Sequence, residues 1–247
     1  MKIALAQIAS IPGGLEKNSQ KHLAYIQHAL KQKADLILFP ELSITGYHPS
    51  RSKEWALSLD DALWEPFKKL AKGEPGSAHQ QTCTIGLGVP LQEAGKPAIA
   101  HLFFHPDKRC SVYRKQLLHQ DEQPYFQAGT QPLLFPLKDH QIAPAICYEA
   151  LQPQHAQEAV RLGADVYVVA VAKDQSGMVQ AQEYFPKLAR KHRIFIALVN
   201  SVGANEGFTS AGGSAVWTPD GNRQAPLSQT EEGLLIYHFN KRTVHES

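Results

Sequence analysis

The chain comprises 247 residues, of which 43% are hydrophobic, 19% are charged and 9% are aromatic. This length and composition predict a single globular domain over residues 1–247 and exclude extensive disorder. The 25 lysines and arginines nearly balance the 23 aspartates and glutamates, and the basic residues are scattered, so no nucleic-acid partner is expected.

The three cysteines, Cys83, Cys110 and Cys147, are too few and too widely spaced to form a disulfide framework. They therefore predict reduced thiols and a cytoplasmic location. The most apolar stretch, residues 166–172, is too short to cross a bilayer. Gln7 interrupts the apolar N-terminus before a signal-peptide core is complete, so no membrane partner is expected.

Hydrophobic periodicity predicts both strands and helices along the chain. In the first half, we expect a strand at 3–8, a turn at 11–14, a helix at 15–32, a strand at 36–39, a helix at 55–71 and strands at 82–89, 98–104 and 110–114. In the second half, we expect a strand at 141–147, a helix at 155–162, a strand at 165–172, a helix at 180–192, a strand at 195–199 and a hairpin-like tail at 212–239 that turns at 219–221. This mixture predicts a layered α/β domain with a mixed sheet, and Gly86 and Gly88 are interpreted as strand-end glycines.

Polar residues that can do chemistry lie near the ends of predicted strands, where open α/β sheets place their sites. Glu41 follows the strand at 36–39, Lys115 follows Arg114, and Cys147 ends a short strand, with Glu122 seven residues after the lysine. Brought together, they would form a nucleophilic site in which a carboxylate accepts the thiol proton and an ammonium stabilises negative charge. Taken singly, each has an ordinary structural explanation, such as a buried thiol or a capping carboxylate.

The residues around these candidates resemble the three signature blocks of the nitrilase superfamily of carbon–nitrogen hydrolases. The blocks, in the order and spacing of the family, are FPELSITGY at 39–47, YRK at 113–115 and ICYE at 146–149. Shorter similarities extend over most of the chain, from Lys2 to Phe239. The resemblance implies an α/β fold of the four-layer α-β-β-α sandwich type, with the site at one end of the two sheets.

The resemblance also implies a role for each matched residue. Cys147 would be the nucleophile, Glu41 the general base and acid, and Lys115 the group that stabilises the oxyanion. The backbone N–H of Tyr148 would be the second oxyanion donor, and Glu122 would help to position the lysine and the substrate. No metal or organic cofactor is implied, and members of the family typically assemble as homodimers or larger homo-oligomers.

Two segments depart from the family pattern. Leu151 and Gln152 stand where many members carry an Arg-Phe pair, so a substrate carboxylate is bound in another way or the substrate is neutral. After the strand at 165–172, Lys173 and Asp174 either bind a charged end of the substrate or pair with each other at the rim. The sequence favours neither reading.

Three further residues near the matched blocks are candidates for substrate contacts. Tyr47 and Phe126 can supply apolar walls of a pocket, although ordinary core packing explains Phe126 equally well. Glu149 lies two residues after the matched nucleophile and is the third candidate. The sequence contains no HExxH motif or paired-cysteine spacing, so no metal site is expected.

These observations favour an amidase that cleaves a non-peptide C–N bond of a small carboxamide or N-carbamoyl compound. The reaction would pass through a cysteine thioester and release ammonia or an amine, with a small-molecule amide as the partner. An N-acyltransferase and a true nitrilase are alternatives on the same scaffold. A catalytically idle binding or assembly protein is an alternative of another class, and the intact set of Glu41, Lys115 and Cys147 argues against it.

Overall fold

Two β-sheets lie at the centre of the computed structural model, which describes residues 1–73, 81–224, 226–241 and 243–246. In chain order the strands are β1 (Lys2–Gln7), β2 (Leu36–Leu38), β3 (Thr84–Leu91), β4 (Ala98–Phe104), β5 (Cys110–Arg114), β6 (Phe135–Leu137), β7 (His140–Ile146), β8 (Val166–Val171), β9 (Phe195–Asn200), β10 (Val202–Ala204), β11 (Thr209–Ala211), β12 (Ala215–Trp217), β13 (Arg223–Gln224), β14 (Gly233–His238) and β15 (Thr243–Glu246). Within the described residues, the first sheet has the order β15-β14-β1-β2-β3-β4-β5 and the second has the order β13-β12-β9-β8-β7-β6. A separate hairpin pairs β10 with β11.

Helices cover the outer face of each sheet. They are α1 (Leu15–Lys31), α2 (Ser52–Trp55), α3 (Glu65–Lys72), α4 (Pro153–Arg161) and α5 (Gln175–His192), with 3₁₀ turns at Pro49–Arg51, Ala62–Trp64 and Cys147–Leu151. One apolar cluster joins α1 and α3 to the first sheet, another joins α4 and α5 to the second, and a third fills the space between the sheets. This arrangement confirms the expected four-layer α-β-β-α sandwich.

Continuous apolar strands serve two interfaces at once because successive side chains point to opposite faces of a sheet. In β8, the side chains that pack between the two sheets are Val166, Val168 and Ala170. Those that pack against α4 and α5 are Tyr167, Val169 and Val171. Burial on both faces explains why this strand shows no polar alternation in the sequence. No helix in the described ranges is both long and apolar enough to span a membrane.

Strand direction decides which strand ends meet. In the first sheet β2 runs parallel to β1 and β3, and two antiparallel pairings bring β5 back into the same direction. In the second sheet β7, β8 and β9 are parallel to one another. The segments that follow β2 and β5 therefore emerge at one edge of the first sheet, and those that follow β7 and β8 emerge at one edge of the second.

Most predicted elements agree with the structure, but two helices begin elsewhere than expected. The helix predicted at 55–71 is divided: α2 ends at Trp55, Leu57 bonds to β3 through its backbone, and α3 starts beside Pro66, a residue suited to the first turn of a helix. Helix α5 starts five residues before the predicted 180, at Gln175. Asp174 accounts for this start because its side chain accepts a hydrogen bond from Gly177 N at 2.8 Å.

The prediction of one hairpin over the tail at 212–239 was wrong in its second half. Strands β12 and β13 do pair around the predicted turn at 219–221, but β14 crosses to the first sheet and runs antiparallel to β1. Residue 225 of this tail lies outside the described residues. The crossing puts Leu234 and Ile236 of β14 into the apolar cluster beneath α1, a long-range burial that local sequence does not encode.

Gly86 and Gly88 lie inside β3, so their interpretation as strand-end glycines was wrong. A Cβ atom on Gly88 would lie only 2.2 Å from Pro40 O and 2.5 Å from Leu42 N. The carbonyl of Gly88 also accepts a hydrogen bond from Ile44 N at 3.1 Å. The lack of a side chain at residue 88 therefore lets the backbone that follows β2 rest directly on β3.

We predict that Gly88→Ala destabilises the fold by about 1–3 kcal/mol because the added methyl group forces the 40–42 backbone to move. The free energy of unfolding from urea titration measures the effect. Gly95→Ala is the matched control, since the nearest atom to its added Cβ is the amide oxygen of the flexible Gln127 side chain, at 3.2 Å. Equal stability of the two variants would contradict the prediction.

Candidate active site

A buried ammonium between two carboxylates forms the centre of the site. Lys115 Nζ lies 2.8 Å from Glu41 Oε1 and 2.6 Å from Glu122 Oε1, and all three side chains are almost completely inaccessible to solvent. Glu41 follows β2 and Lys115 follows β5, so the shared edge of the first sheet brings them together. The second oxygen of Glu41 accepts a bond from Ala172 N, which follows β8 of the other sheet, at 3.3 Å.

Cys147 lies at the sharp turn between β7 and the 3₁₀ helix Cys147–Leu151. Its φ of 51° falls in the left-handed region, which is uncommon for a residue other than glycine and indicates that the surroundings hold the turn in place. Its side chain has a polar interaction with the Glu41 carboxyl, and the positive charges of Lys173 and Lys115 act on it. The structure thus brings Glu41, Lys115 and Cys147 together.

Burial and charge set the protonation of these three groups. Desolvation raises the pKa of Glu41 to about 7, although the nearby Lys115 ammonium opposes the change. Desolvation and the charge of Glu41 raise the pKa of the Cys147 thiol to about 11. Burial opposes the charge on Lys115, but the two carboxylates outweigh it and raise the pKa of the ammonium. Near neutral pH the thiol therefore keeps its proton, the lysine is charged and Glu41 is close to its midpoint.

Both oxygens of Glu122 are engaged. Oε1 accepts bonds from Lys115 Nζ and from the Tyr47 hydroxyl at 3.0 Å, while Oε2 accepts one from His119 N at 2.7 Å. Glu122 therefore ties the loop after β5 and the tyrosine to the same buried lysine. The expected association of Glu122 with Lys115 is present in the geometry.

Glu149 lies under the turn that carries Cys147. Its Oε1 accepts bonds from Ile146 N at 2.8 Å and from the Tyr113 hydroxyl at 2.7 Å. Its Oε2 accepts bonds from Gln116 N at 2.7 Å and Leu117 N at 3.2 Å. This fully buried carboxylate thus joins the residue before Cys147 to the residues after Lys115.

A cavity of about 480 Å³ opens at the Cys147 side chain. Among the residues expected from the sequence, its lining includes Tyr47, Glu122, Cys147, Tyr148, Lys173 and Asp174. Phe126 and Glu149 do not line it, contrary to their expected substrate contacts: Phe126 packs in the core between the sheets, and the Glu149 carboxylate is occupied by protein donors. Phe126 is therefore a core residue, which was the other interpretation that the sequence allowed.

Lys173 and Asp174 do not form the rim pair that was one expectation. The Asp174 carboxylate caps α5 and bonds to Gly177 N and to the Ser176 hydroxyl, at 2.8 and 2.9 Å for its Oδ1. Among the described residues, no carboxylate oxygen lies within 4 Å of Lys173 Nζ. The two neighbours therefore have separate roles.

Several lining residues were not predicted. Phe208 comes from the β10–β11 hairpin and packs edge-on against Tyr47, with ring centroids 5.6 Å apart. His119 bonds to Asp121 through its ring at the mouth of the cavity, and Gln180 reaches it from α5. No local signal pointed to Phe208, whereas the polar residues between Lys115 and Tyr125 were a signal that could have been used.

The described residues contain no group of three or more histidine, cysteine, aspartate or glutamate side chains arranged to hold a metal ion. The site itself brings together the thiol of Cys147, the carboxylates of Glu41 and Glu122, and the ammonium groups of Lys115 and Lys173. A carboxylate next to a thiol can take its proton, and a fixed ammonium can stabilise an oxyanion.

Several known proteins are similar to this chain in sequence and in fold. A glutamine-dependent NAD(+) synthetase of Aquifex aeolicus (strain VF5) is 28% identical over an alignment of 248 residues that covers 95% of this chain but 41% of that protein. An (R)-stereoselective amidase of Pseudomonas sp. is 25% identical over 224 residues, with 90% of this chain and 78% of that protein covered. An alanine variant of an amidase from Nesterenkonia sp. AN1, solved in complex with butyramide, is similar in structure, with a TM-score of 0.82, 25% identity and coverage of 96% and 89% of the two chains.

The chain thus spans less than half the length of the NAD(+) synthetase that it matches. The sequence profile of the carbon–nitrogen hydrolase family matches residues 2–246, almost the whole chain. This match confirms the resemblance found in the three sequence blocks. The chain therefore belongs to the carbon–nitrogen hydrolase family, within the nitrilase superfamily.

Proposed function

We propose that this protein is an amidase that hydrolyses a small carboxamide or N-carbamoyl compound through a thioester on Cys147. One observation carries the proposal: Cys147 lines a cavity of about 480 Å³ and interacts with the buried pair of Glu41 and Lys115. A cavity of this size suits a small molecule. A thiol, a base and a fixed cation are the groups that acyl transfer to cysteine requires.

In the acylation half of the proposed reaction, Cys147 Sγ bonds to the carbonyl carbon of the amide while its proton passes to Glu41. Lys115 Nζ and the backbone N–H of Tyr148 stabilise the oxyanion that forms. The C–N bond then breaks, and Glu41 returns the proton to the departing nitrogen. Ammonia or an amine leaves, and the acyl group remains on the sulfur.

In the deacylation half, water replaces the departed amine. Glu41 takes a proton from the water as its oxygen bonds to the thioester carbonyl, and Lys115 again stabilises the oxyanion. The C–S bond breaks, Sγ recovers the proton and the acid is released. One amide and one water yield one acid and one ammonia or amine, and the protein returns to its initial state.

The relatives support an amide substrate. One is an (R)-stereoselective amidase, and another amidase of this fold was solved in complex with butyramide. An acyltransferase would use the same thioester but pass the acyl group to an amine. Competition between an added amine and water for the acyl group separates this alternative from hydrolysis.

Cys147→Ala is expected to lower ammonia release from small amides by roughly 10³-fold or more because the nucleophile is lost. Acid quenching followed by mass spectrometry should show the acyl group on Cys147 of the unmodified protein. Cys110→Ala is the matched control, since Cys110 is exposed on β5, and it should retain the activity and the adduct. Undiminished turnover by Cys147→Ala would refute the thioester route.

The rate of Cys147 alkylation by iodoacetamide is expected to rise with pH, with a midpoint near the pKa of about 7 of Glu41. The sign follows because only the ionised carboxylate can accept the thiol proton, so protonation of Glu41 below this pH slows the reaction. In Glu41→Gln the base is absent, and the profile should move to alkaline pH, where the thiol ionises unaided. Identical profiles for both proteins between about pH 5 and pH 9 would show that Glu41 does not act as the base.

We further propose that Glu149 is a positioning residue for Cys147 and Lys115. Glu149→Gln puts an amide nitrogen opposite one of the N–H donors that now bond to the carboxylate. We expect kcat to fall by roughly 10- to 100-fold while KM changes little, because the reacting groups are displaced. Glu158→Gln is the control, because this half-exposed carboxylate of α4 bonds to Arg161 at the surface. A loss of thermal stability with unchanged kcat would show that the role of Glu149 is structural alone.

A further inference from the structure

Lys173 lines the cavity, and the protein covers most of the residue. Its backbone is held on both sides: Lys173 N donates to Asn200 Oδ1 at 2.9 Å, and its carbonyl accepts from Asn200 Nδ2 at 3.0 Å and from Ala211 N at 2.8 Å. The residue is only 9% exposed and lines the cavity together with Cys147. The backbone of this lysine is therefore held at the wall of the site.

The carboxylates that line the cavity already have partners. Asp121 bonds to the His119 ring, Glu122 to Lys115, and Asp174 to the first turn of α5. Among the described residues, Lys173 Nζ has no hydrogen bond and no carboxylate within 4 Å, and it is the one lysine or arginine in the cavity lining. The lining thus offers a cation that no carboxylate contacts directly, although its charge acts at longer range on Asp174 and Cys147.

An ammonium at the wall of a cavity attracts an anion that enters it more strongly than it would in open water. Lys115 cannot serve the same purpose because two carboxylates already neutralise it. The neighbours Leu151 and Gln152, which also line the cavity, carry no charge. Lys173 is therefore the residue of the described cavity lining whose charge can balance that of a bound anion.

We propose that Lys173 binds a carboxylate carried by the substrate, so that the substrate is an anionic amide. The proposal rests on the proposed amidase function and narrows it to amidic acids and related anionic carboxamides. Lys173 then acts as a specificity-determining residue, since its ammonium contacts a part of the substrate that does not react. A neutral amide of equal size would leave the ammonium unpartnered and bind less well.

Two alkylating reagents that differ only in charge test this inference without a known substrate. Iodoacetate and iodoacetamide each transfer their methylene carbon to Cys147 Sγ, with release of iodide and transfer of the thiol proton to Glu41. We expect the ratio of the iodoacetate rate to the iodoacetamide rate to fall by roughly 10-fold or more in Lys173→Gln. Taking the ratio cancels any effect of Lys173 on the thiol itself, because both reagents meet the same thiol.

Lys173→Arg should retain the ratio of the unmodified protein, since it keeps the positive charge. Lys187→Gln, which removes an exposed lysine of α5, should retain it as well. A ratio that is the same in Lys173→Gln as in the unmodified protein would overturn the inference. Intact-mass spectrometry with site mapping to Cys147 measures each rate.

A pair of amides of similar size extends the test to turnover. Succinamate carries a carboxylate where butyramide carries a methyl group, and we expect kcat/KM for succinamate to be the higher of the two in the unmodified protein. Lys173→Gln should reduce that preference by roughly 10- to 100-fold and leave butyramide within about 3-fold. Equal losses for both amides would overturn the inference. A missing thioester on Cys147 with every amide would instead overturn the proposed function, and the alkylation ratio would still decide the role of Lys173.

Discussion

The need of one buried cation for two anions organises this site. Lys115 has no solvent contact, and an ammonium transferred from water to such a position is stable only if carboxylates surround it. Glu41 and Glu122 meet this need from two different segments, so the folding of each segment is linked to the others. A site that has to be assembled for electrostatic reasons is also pre-organised for chemistry, because its charges are in place before any substrate arrives.

The fold allows close packing of the backbone at this site and provides hydrogen bonds that hold the catalytic candidates in place. Gly88 lets the segment with Glu41 rest on β3, and Glu149 joins the turn at Cys147 to the backbone after Lys115. Asn200, fully buried, holds the segment after β8 in the same way. Hydrogen bonds to backbone groups thus support the ion pairs in placing Glu41, Lys115 and Cys147, so polar residues outside the cavity lining also matter to the site.

Much of this arrangement follows from sequence because it depends on local pattern and residue type. Apolar runs predicted most strands, and polar residues at strand ends predicted the places of Glu41, Lys115 and Cys147. Long-range pairings were beyond such reasoning: β14 joins β1 in the other sheet, and Phe208 reaches the cavity from an unpredicted hairpin. The prediction that Glu149 contacts the substrate was made from residue type alone. The sequence does not show whether a carboxylate near Cys147 faces the cavity or accepts hydrogen bonds from backbone N–H groups.

The two lysines near Cys147 show how environment separates residues of the same type. Lys115 is neutralised by carboxylates, so its charge holds Glu41 and Glu122 in place. Lys173 has a rigid backbone and no such partner, so its charge remains available to whatever enters the cavity. Because Glu41 and Glu122 together carry more negative charge than Lys115 can balance, a negatively charged ligand would be repelled without a second cation. In the proposed complex with an anionic amide, the charge of Lys173 would offset this repulsion near the thiol.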